Sequence, residues 1–232
     1  MKSEYSKSII SEVAQFELFK DFSPSKIEKL CVNLQVIISK HRQSIFNFAD
    51  PAYRFGIVLS GAYKLSRPTV HGEDAIMHFS TPGDVIAALI MGNPDPKYPV
   101  TVTSMGPSRF LSLPKENYQM YWKDDTELIF RVQNLLSSRM HRFHSQKIMQ
   151  KASISARIAQ MLLMLAEKSS PDELQINIPL TRKEIADNLG LTVESVIRVM
   201  SDWSKFETVT TTDQIITILK PNQLLEIMKN EN

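Results

Sequence analysis

The stretch that decides the fold is Leu180–Ser204, LTRKEIADNLGLTVESVIRVMSDWS. Thr181 followed three residues later by Glu184 is the pattern of a capping box, in which each side chain bonds to the other residue's backbone amide. Gly190 stands where a first helix would end, because glycine accepts the left-handed conformation that commonly closes a helix. Thr192 then begins a second helix. Two short helices joined by a tight glycine-containing turn form a helix-turn-helix.

The second helix is predicted to have an inward apolar face and an outward face. The inward residues are Val196, Val199, Met200 and Trp203, and the outward residues are Val193, Glu194, Ile197 and Arg198. Glu194 can accept from cytosine N4 and Arg198 can donate to guanine O6 and N7, so the pair favours reading of bases in the major groove. The outward apolar side chains, Val193 and Ile197, are suited to contact thymine methyls. The alternative is an ordinary surface ion pair between Glu194 and Arg198.

The flanks of this motif predict the remaining DNA contacts. Thr208–Thr212 and Gln214–Leu219 favour two short strands around Asp213, which would form a wing. Candidate phosphate contacts are polar or basic residues near the helix starts and just after the second helix: Thr181, Arg182, Lys183, Thr192, Ser195 and Lys205. Residues 152–232 carry 8 Lys and Arg against 11 Asp and Glu, a net charge of −3. Because a DNA-binding domain usually has a basic surface, these few cations must lie on one face.

Upstream, the sequence favours short strands separated by turns. The predicted strands are Val36–Ser39, Ser44–Phe48, Phe55–Leu59, Ala62–Leu65, Ala75–Phe79, Val100–Thr103 and Phe110–Leu113. Gly61, Gly72 and Gly83 are evenly spaced and predict tight turns with positive φ. This pattern indicates a small sandwich or barrel. The loop Met91–Pro99 is either a lid over a ligand or a plain surface loop.

Helices flank the strand region on both sides. Ser8–Val36 has helical periodicity, and Ser23-Pro24 predicts an N-cap followed by a first-turn proline. A long helix is predicted from Pro114 to about Met149, followed by a hinge at Ala152–Ser153. Its apolar stripe is either a dimer seam or a buried core face. The residues of that stripe are Leu128, Val132, Leu135, Leu136, Met140 and Phe143.

Composition limits the possible classes of protein. A length of 232 residues with 43% hydrophobic and 22% charged residues predicts an ordinary globular chain of two domains. The single cysteine, Cys31, excludes an internal disulfide and a cysteine-only iron–sulfur or zinc site, and it is expected to be a small buried residue. Met1–Glu12 lacks a signal-peptide core and the apolar run Val85–Met91 is too short for a bilayer, so we expect a cytoplasmic protein without membrane contact. No catalytic or metal-ligand spacing is present, so we expect no enzyme activity.

Five motifs carry a resemblance to a known family. They are VLSGAYKLSR (Val58–Arg67), HGEDAIMHF (His71–Phe79), PGDVIAAL (Pro82–Leu89), ARIAQMLLMLA (Ala156–Ala166) and LTRKEIADNLGLTVESVIRVM (Leu180–Met200). From about Phe19 to Leu225 the chain resembles the cyclic-AMP receptor protein/FNR (CRP/FNR) superfamily of bacterial regulators. The resemblance implies an α+β fold with an N-terminal β-roll, which is a cyclic-nucleotide-binding-like double-stranded β-helix or jelly roll. A long dimerisation helix and a C-terminal winged helix-turn-helix follow it. The implied domains are 1–122, 123–151 and 152–232.

The resemblance also assigns residue roles in the second helix of the motif. Glu194 and Arg198 match the base-reading pair of the family. Val193 stands where the cyclic-AMP receptor subgroup has arginine and where FNR-like members have valine. The half-site is therefore expected to have a TGA core preceded by T, while Ile197 replaces the usual small residue and leaves the outer bases open.

In the sensor, the resemblance implies an effector pocket that departs from the cyclic-AMP pattern. Its residues would be Gly83, Asp84, Ala88, Leu89, Tyr98, Pro99, Arg142 and Phe143. Ala88 replaces the glutamate that holds the ribose, and Tyr98-Pro99 replace the Arg-Ser that holds the phosphate. Weak or absent binding of cyclic AMP is expected. Haem would need an axial ligand such as His71, His78, His141 or His144, and since isolated histidines are more often solvated, no cofactor is predicted.

Together these patterns predict a sequence-specific transcription regulator. It is expected to bind a palindromic operator as a homodimer, with recognition helices about 34 Å apart. Expected partners are double-stranded DNA, a second copy of the chain, RNA polymerase and a small-molecule effector. The alternative is an effector-independent or degenerate family member that acts mainly through protein contacts. The effector, the target genes and the direction of regulation are not predicted.

Overall fold

The chain forms two compact units in a computed structural model that describes residues 2–70, 72, 74–169 and 174–229. Unit 1 consists of Met1–Arg67 and His78–Arg139, and unit 2 consists of Pro68–Met77 and Met140–Asn232. The boundary between them falls inside a long helix, between Arg139 and Met140.

The secondary structure is mixed, which confirms the predicted α+β class. The helices are α1 (Lys2–Val13), α2 (Pro24–Leu30), α3 (Lys115–Asn117), α4 (Thr126–Ile148), α5 (Ile154–Ser169), α6 (Arg182–Leu189), α7 (Val193–Lys205) and α8 (Pro221–Lys229). The strands are β1 (Gln35–Ser39), β2 (Ser44–Phe46), β3 (Arg54–Ser60), β4 (Tyr63–Pro68), β5 (Asp74–Ser80), β6 (Val85–Ile86), β7 (Thr101–Ser104), β8 (Ser108–Pro114), β9 (Gln175–Ile176), β10 (Val209–Thr212) and β11 (Ile215–Ile218). Short 3₁₀ turns occupy Glu17–Phe19, Leu89–Gly92 and Met149–Lys151, and a π-helical turn occupies Tyr118–Trp122.

The predicted strands of the sensor are all present, with small differences at their ends. They form two four-stranded sheets, in the orders β1-β8-β3-β6 and β2-β7-β4-β5. The evenly spaced glycines make turns as predicted, because Gly61, Gly72 and Gly83 have φ of 73°, 80° and 86°. A different glycine, Gly56, lies so close to the backbone of the paired strand that an added Cβ would overlap the Leu111 carbonyl.

Aromatic side chains fill the core of unit 1. Phe55 packs edge-on against Trp122, with ring centroids 4.8 Å apart, and Phe110 packs edge-on against Phe46 and Tyr63. The indole of Trp122 donates to the Leu30 carbonyl over 3.0 Å, which fastens the end of α2 to this core. Aromatic pairs of this geometry add stabilisation beyond the area that they bury.

The helices around the sheets agree with the sequence in part. The α2 helix begins as predicted, since the Ser23 hydroxyl accepts from the Lys26 amide and Pro24 occupies the first turn. The predicted continuous helix from Pro114 is wrong, because the chain breaks after Trp122 and α4 begins at Thr126. Asp125 causes this new start, since its carboxylate accepts from the Leu128 amide over 3.0 Å.

Unit 2 contains the helix-turn-helix and the predicted wing. Strands β10 and β11 follow α7 and join β9 in a three-stranded sheet of order β10-β11-β9, and α8 packs on α5. The wing turns at Asp213 and Gln214, which both have positive φ although neither is glycine. The predicted hinge at Ala152–Ser153 coincides with an extended residue between the 3₁₀ turn and α5. It lies within unit 2, whereas the boundary between units is earlier in the chain.

Candidate nucleic-acid interface

Both helices of the motif are capped as the sequence predicts. The Thr181 hydroxyl accepts from the Glu184 amide over 3.1 Å, and the Glu184 carboxylate accepts from the Thr181 amide over 3.0 Å. Gly190 closes α6 with φ 62° and ψ 44°, the left-handed conformation. Thr192 then caps α7 by accepting from the Ser195 amide. These bonds fix the angle at which α7 leaves the turn.

The α7 helix separates its packing side chains from those that can meet a partner. Val196, Met200 and Trp203 are buried, while Glu194, Ile197 and Arg198 are exposed and Val193 is half-buried. No ion pair between Glu194 and Arg198 occurs in the described structure, so the alternative of a surface ion pair gains no support. Ile197 is 47% exposed, so its side chain is available to a partner.

The predicted phosphate contacts fall into two groups. Arg182 and Lys183 are held within the unit, because Arg182 donates to the Thr211 hydroxyl over 3.1 Å and Lys183 pairs with Asp187 at 3.0 Å. Burial lowers the pKa of Arg182 below its ordinary value. Thr181, Thr192 and Ser195 surround the two helix starts, and their hydroxyls take part in the caps. Lys205 is exposed at the end of α7, with its ammonium over the Phe206 ring.

Two supporting contacts were not predicted from the sequence. The Arg157 guanidinium of α5 donates to the Leu189 carbonyl, at the C-terminal end of α6. A cation there donates to a carbonyl that has no partner within the helix, and the negative end of the helix dipole stabilises its charge. Arg182 similarly ties α6 to the wing through Thr211. Neither contact has a local pattern, since the partners are about 30 residues apart in each case.

The predicted dimer seam requires a correction. Leu128 and Val132 are fully buried and belong to the core of unit 1, and Leu135 and Leu136 are partly buried against it. Leu128 and Val132 therefore face their own β-roll, whereas Leu135 and Leu136 are covered by it only in part. Among the described side chains of α4, the exposed large apolar ones are Phe130, Ile148 and Met140, and Met140 belongs to the predicted seam. The side chain of Phe143 lies outside the described part of the structure.

A cavity of about 160 Å³ lies in unit 1 between the β6 region and α4. Its sheet side consists of Val85, Ala87, Ala88, Leu89, Ile90 and Pro99. Its helix side consists of Val132, Leu135, Leu136 and Arg139. Arg139 is the charged group in this lining, and one of its nitrogens lies 3.2 Å from the Asp84 carboxylate.

The structure brings part of the predicted effector pocket to this cavity. Ala88, Leu89 and Pro99 line it, and Asp84 reaches it through Arg139. Tyr98 does not, because its ring stacks on Phe46 and its hydroxyl donates to the Arg54 carbonyl over 2.8 Å. Gly83 also does not line the cavity, since it makes a turn beside the Phe16 ring. The side chains of Arg142 and Phe143 lie outside the described part of the structure.

The loop Met91–Pro99 is fastened to neighbouring backbone. Ala52 donates to the Pro96 carbonyl over 2.8 Å and the Tyr98 amide donates to Asp50 over 3.0 Å. The Lys115 ammonium reaches the carbonyls of Asn93 and Pro94. These bonds favour the plain surface loop over the lid that the sequence left as an alternative.

Known domain families match both parts of this architecture. The cyclic nucleotide-binding domain matches residues 39–125, and the Crp-like helix-turn-helix domain matches residues 156–227. The chain is 24% identical over 196 residues to the CRP-like cAMP-activated global transcriptional regulator of Mycobacterium tuberculosis, covering 83% of this chain and 87% of that protein. It is 27% identical over 188 residues to the global nitrogen regulator of Nostoc sp., covering 78% and 84%. The solved structure of FixK2 from Bradyrhizobium japonicum has the same fold, with a TM-score of 0.73, 17% identity and coverage of 84% and 98%.

The fold and the site define a helix-turn-helix transcription regulator with a cyclic-nucleotide-binding-like sensor. The chain belongs to the CRP/FNR superfamily, and its relatives are transcription regulators rather than enzymes. In the described part of the chain, no helix is both long and apolar enough to cross a bilayer.

Proposed function

We propose that the chain binds a palindromic operator as a homodimer through the exposed face of α7. One observation carries the proposal: Glu194, Ile197 and Arg198 are exposed on α7, opposite the buried face that packs in the unit. With Val193 beside them, these side chains present the acceptor, donor and apolar groups that a TGA-core half-site needs in the major groove. The dimer would place two such helices one turn of DNA apart.

Selection from a random DNA pool tests this proposal. Purified full-length protein is mixed with the pool at two salt concentrations, without an added ligand. Enrichment of a palindrome with TGA half-sites is the expected result. Enrichment of unrelated sequences, or of none with and without a metabolite extract, would contradict the assignment and favour a degenerate member that acts through protein contacts, including contacts with RNA polymerase.

The dimer surface is proposed to lie on the exposed side of α4 rather than on its buried stripe. Phe130 is 61% exposed, and an exposed phenylalanine on a long helix favours burial against a second copy. Phe130→Asp should weaken self-association in sedimentation experiments. Met120→Asp, at a residue 59% exposed outside α4, is the matched control and should leave the dimer intact. Equal effects of the two changes would count against α4.

The sensor is proposed to respond to an effector other than cyclic AMP. The cavity lining offers no free carboxylate for a ribose, because Asp84 accepts from the Thr81 amide over 2.8 Å and pairs with Arg139. The single cysteine leaves no ligand set for an iron–sulfur cluster, and no haem is proposed. Calorimetric titration with cyclic AMP should give no saturable heat, and tight binding would overturn this part of the proposal.

A further inference from the structure

The size of the cavity in unit 1 limits what it can hold. Its volume is about 160 Å³. An apolar protein cavity of about 150 Å³ holds one benzene molecule. A cyclic nucleotide contains a purine, a sugar and a cyclic phosphate, and so only part of it fits inside this space, which is open on one side. The cavity therefore fits a ligand of about one ring.

The lining selects for an apolar ligand body. Val85, Ala88 and Leu89 contribute to one wall, and Leu135 and Leu136 of α4 contribute to the other. Ligand sites are commonly apolar with a few polar groups that orient the ligand. Here the orienting group in the lining is Arg139, whose side chain is 18% exposed.

The charge of Arg139 is already balanced. Its Nη2 lies 3.2 Å from the Asp84 carboxylate, its Nη1 donates to the Val85 carbonyl over 3.2 Å, and the Asp84 side chain is only 8% exposed. A ligand anion would place a second negative charge beside this buried carboxylate, which is costly in a poorly solvated site. Arg139 still lines the cavity with a partly exposed side chain, so a neutral acceptor can meet it there without adding a second negative charge.

We infer that this cavity binds an uncharged, one-ring ligand whose single hydrogen-bond acceptor meets the Arg139 guanidinium. The inference rests on the proposed sensor function and names the chemical class of the effector. Such a ligand touches the Leu89–Gly92 segment and the Val132–Arg139 part of α4 at once, and both belong to unit 1. It would regulate the protein only if the cavity has two conformations that bind the ligand with different affinity.

Matched small molecules test the inference on the full-length protein. Methyl NMR spectra, recorded during titration with benzamide, follow Val85 and Leu136. Benzoate is the anionic probe of the same shape, and cyclic AMP is the large probe. Saturable shifts with benzamide are expected, with a Kd at least tenfold weaker for benzoate and no response of these methyls to cyclic AMP. The absence of a benzamide response, or equal binding of benzoate, would overturn the inference.

Two cavity variants and a control locate the site. Ala88→Leu fills the space and should abolish the benzamide response. Leu136→Ala enlarges the space, so it should keep benzamide binding and admit the larger 1-naphthamide, which wild type excludes. Met120→Ala, on the surface, should behave as wild type. A folded Ala88→Leu with unchanged affinity, or a Leu136→Ala that still excludes 1-naphthamide, would contradict the location.

The DNA experiment separates this inference from the proposed function. Benzamide binding by a protein that selects no DNA sequence would leave the cavity assignment standing and overturn the operator proposal. Operator selection by a protein that does not bind benzamide would support the operator proposal and overturn the cavity assignment.

Discussion

Arg198→Ala is the change that tests the recognition face most directly. Arg198 is exposed and lies one helical turn from Glu194, on the opposite side of α7 from buried Met200. Truncation should therefore leave folding and dimerisation unchanged. A bidentate contact from arginine to guanine contributes about 1–3 kcal/mol of discrimination. Two half-sites double this to about 2–6 kcal/mol. Since 1.4 kcal/mol is tenfold, the Kd for the operator should rise by about 30-fold or more.

The assay compares binding to the selected operator and to variants changed at each half-site base. Fluorescence anisotropy at several salt concentrations gives Kd and its salt dependence. Arg198→Ala should abolish the preference at one base pair of each half-site with little change in the salt slope. Lys205→Ala is the control at a phosphate contact, and it should weaken all sequences alike and reduce the slope by about one per contact. Retained base preference in Arg198→Ala would refute the role given to this side chain.

Three further predictions concern the structure that supports the site. Gly190→Ala should destabilise the chain by about 1–2 kcal/mol in urea unfolding. No atom lies within 4 Å of the added Cβ, so the cost comes only from the backbone strain of an alanine at φ 62°. Gly190→Asn should cost less, because asparagine adopts this conformation more readily, and equal costs would contradict this reason. Gly56→Ala should cost about 3 kcal/mol or more by the same measurement, since its Cβ would overlap the Leu111 carbonyl and force two paired strands apart, and a neutral result would contradict that packing. Burial raises the pKa of Cys31 to about 12, so a thiol reagent at pH 8 should label it only as fast as the chain opens. The stability that this neutral thiol contributes is complete below its unfolded pKa and is lost as pH rises towards 12; rapid labelling of folded protein would contradict its burial.

The helix-turn-helix was predictable because its signals are local. Thr181, Glu184, Gly190 and Thr192 act within a few residues of their own position, and each does what its residue type favours. The two-residue strands β6 and β9 were missed, since two residues carry no alternation to detect.

The face that α4 buries could not be predicted in the same way. Leu128 and Val132 give the same periodic pattern whether they pack on a β-roll or on a second helix. The structure shows that they pack in the core of unit 1, which leaves Phe130 exposed. The pocket prediction met the same difficulty at Tyr98, because stacking on Phe46 depends on two strands that are distant in sequence.

Half of the cations in the acidic DNA-binding part bond to groups of their own unit. Of the 8 Lys and Arg in residues 152–232, Arg157, Arg182, Lys183 and Lys220 bond to groups of their own unit. These bonds hold the turn, the wing and α6 in place, so the cations act on the geometry of the site more than on phosphates. Attraction to DNA then depends on the other four cations, which include Arg198 and Lys205, and on the amides at the starts of α6 and α7. A surface of this kind gains little binding free energy from counterion release and more from contacts with the bases of its operator. It should therefore bind non-operator DNA weakly, and the ratio of operator to non-operator binding should change little with salt.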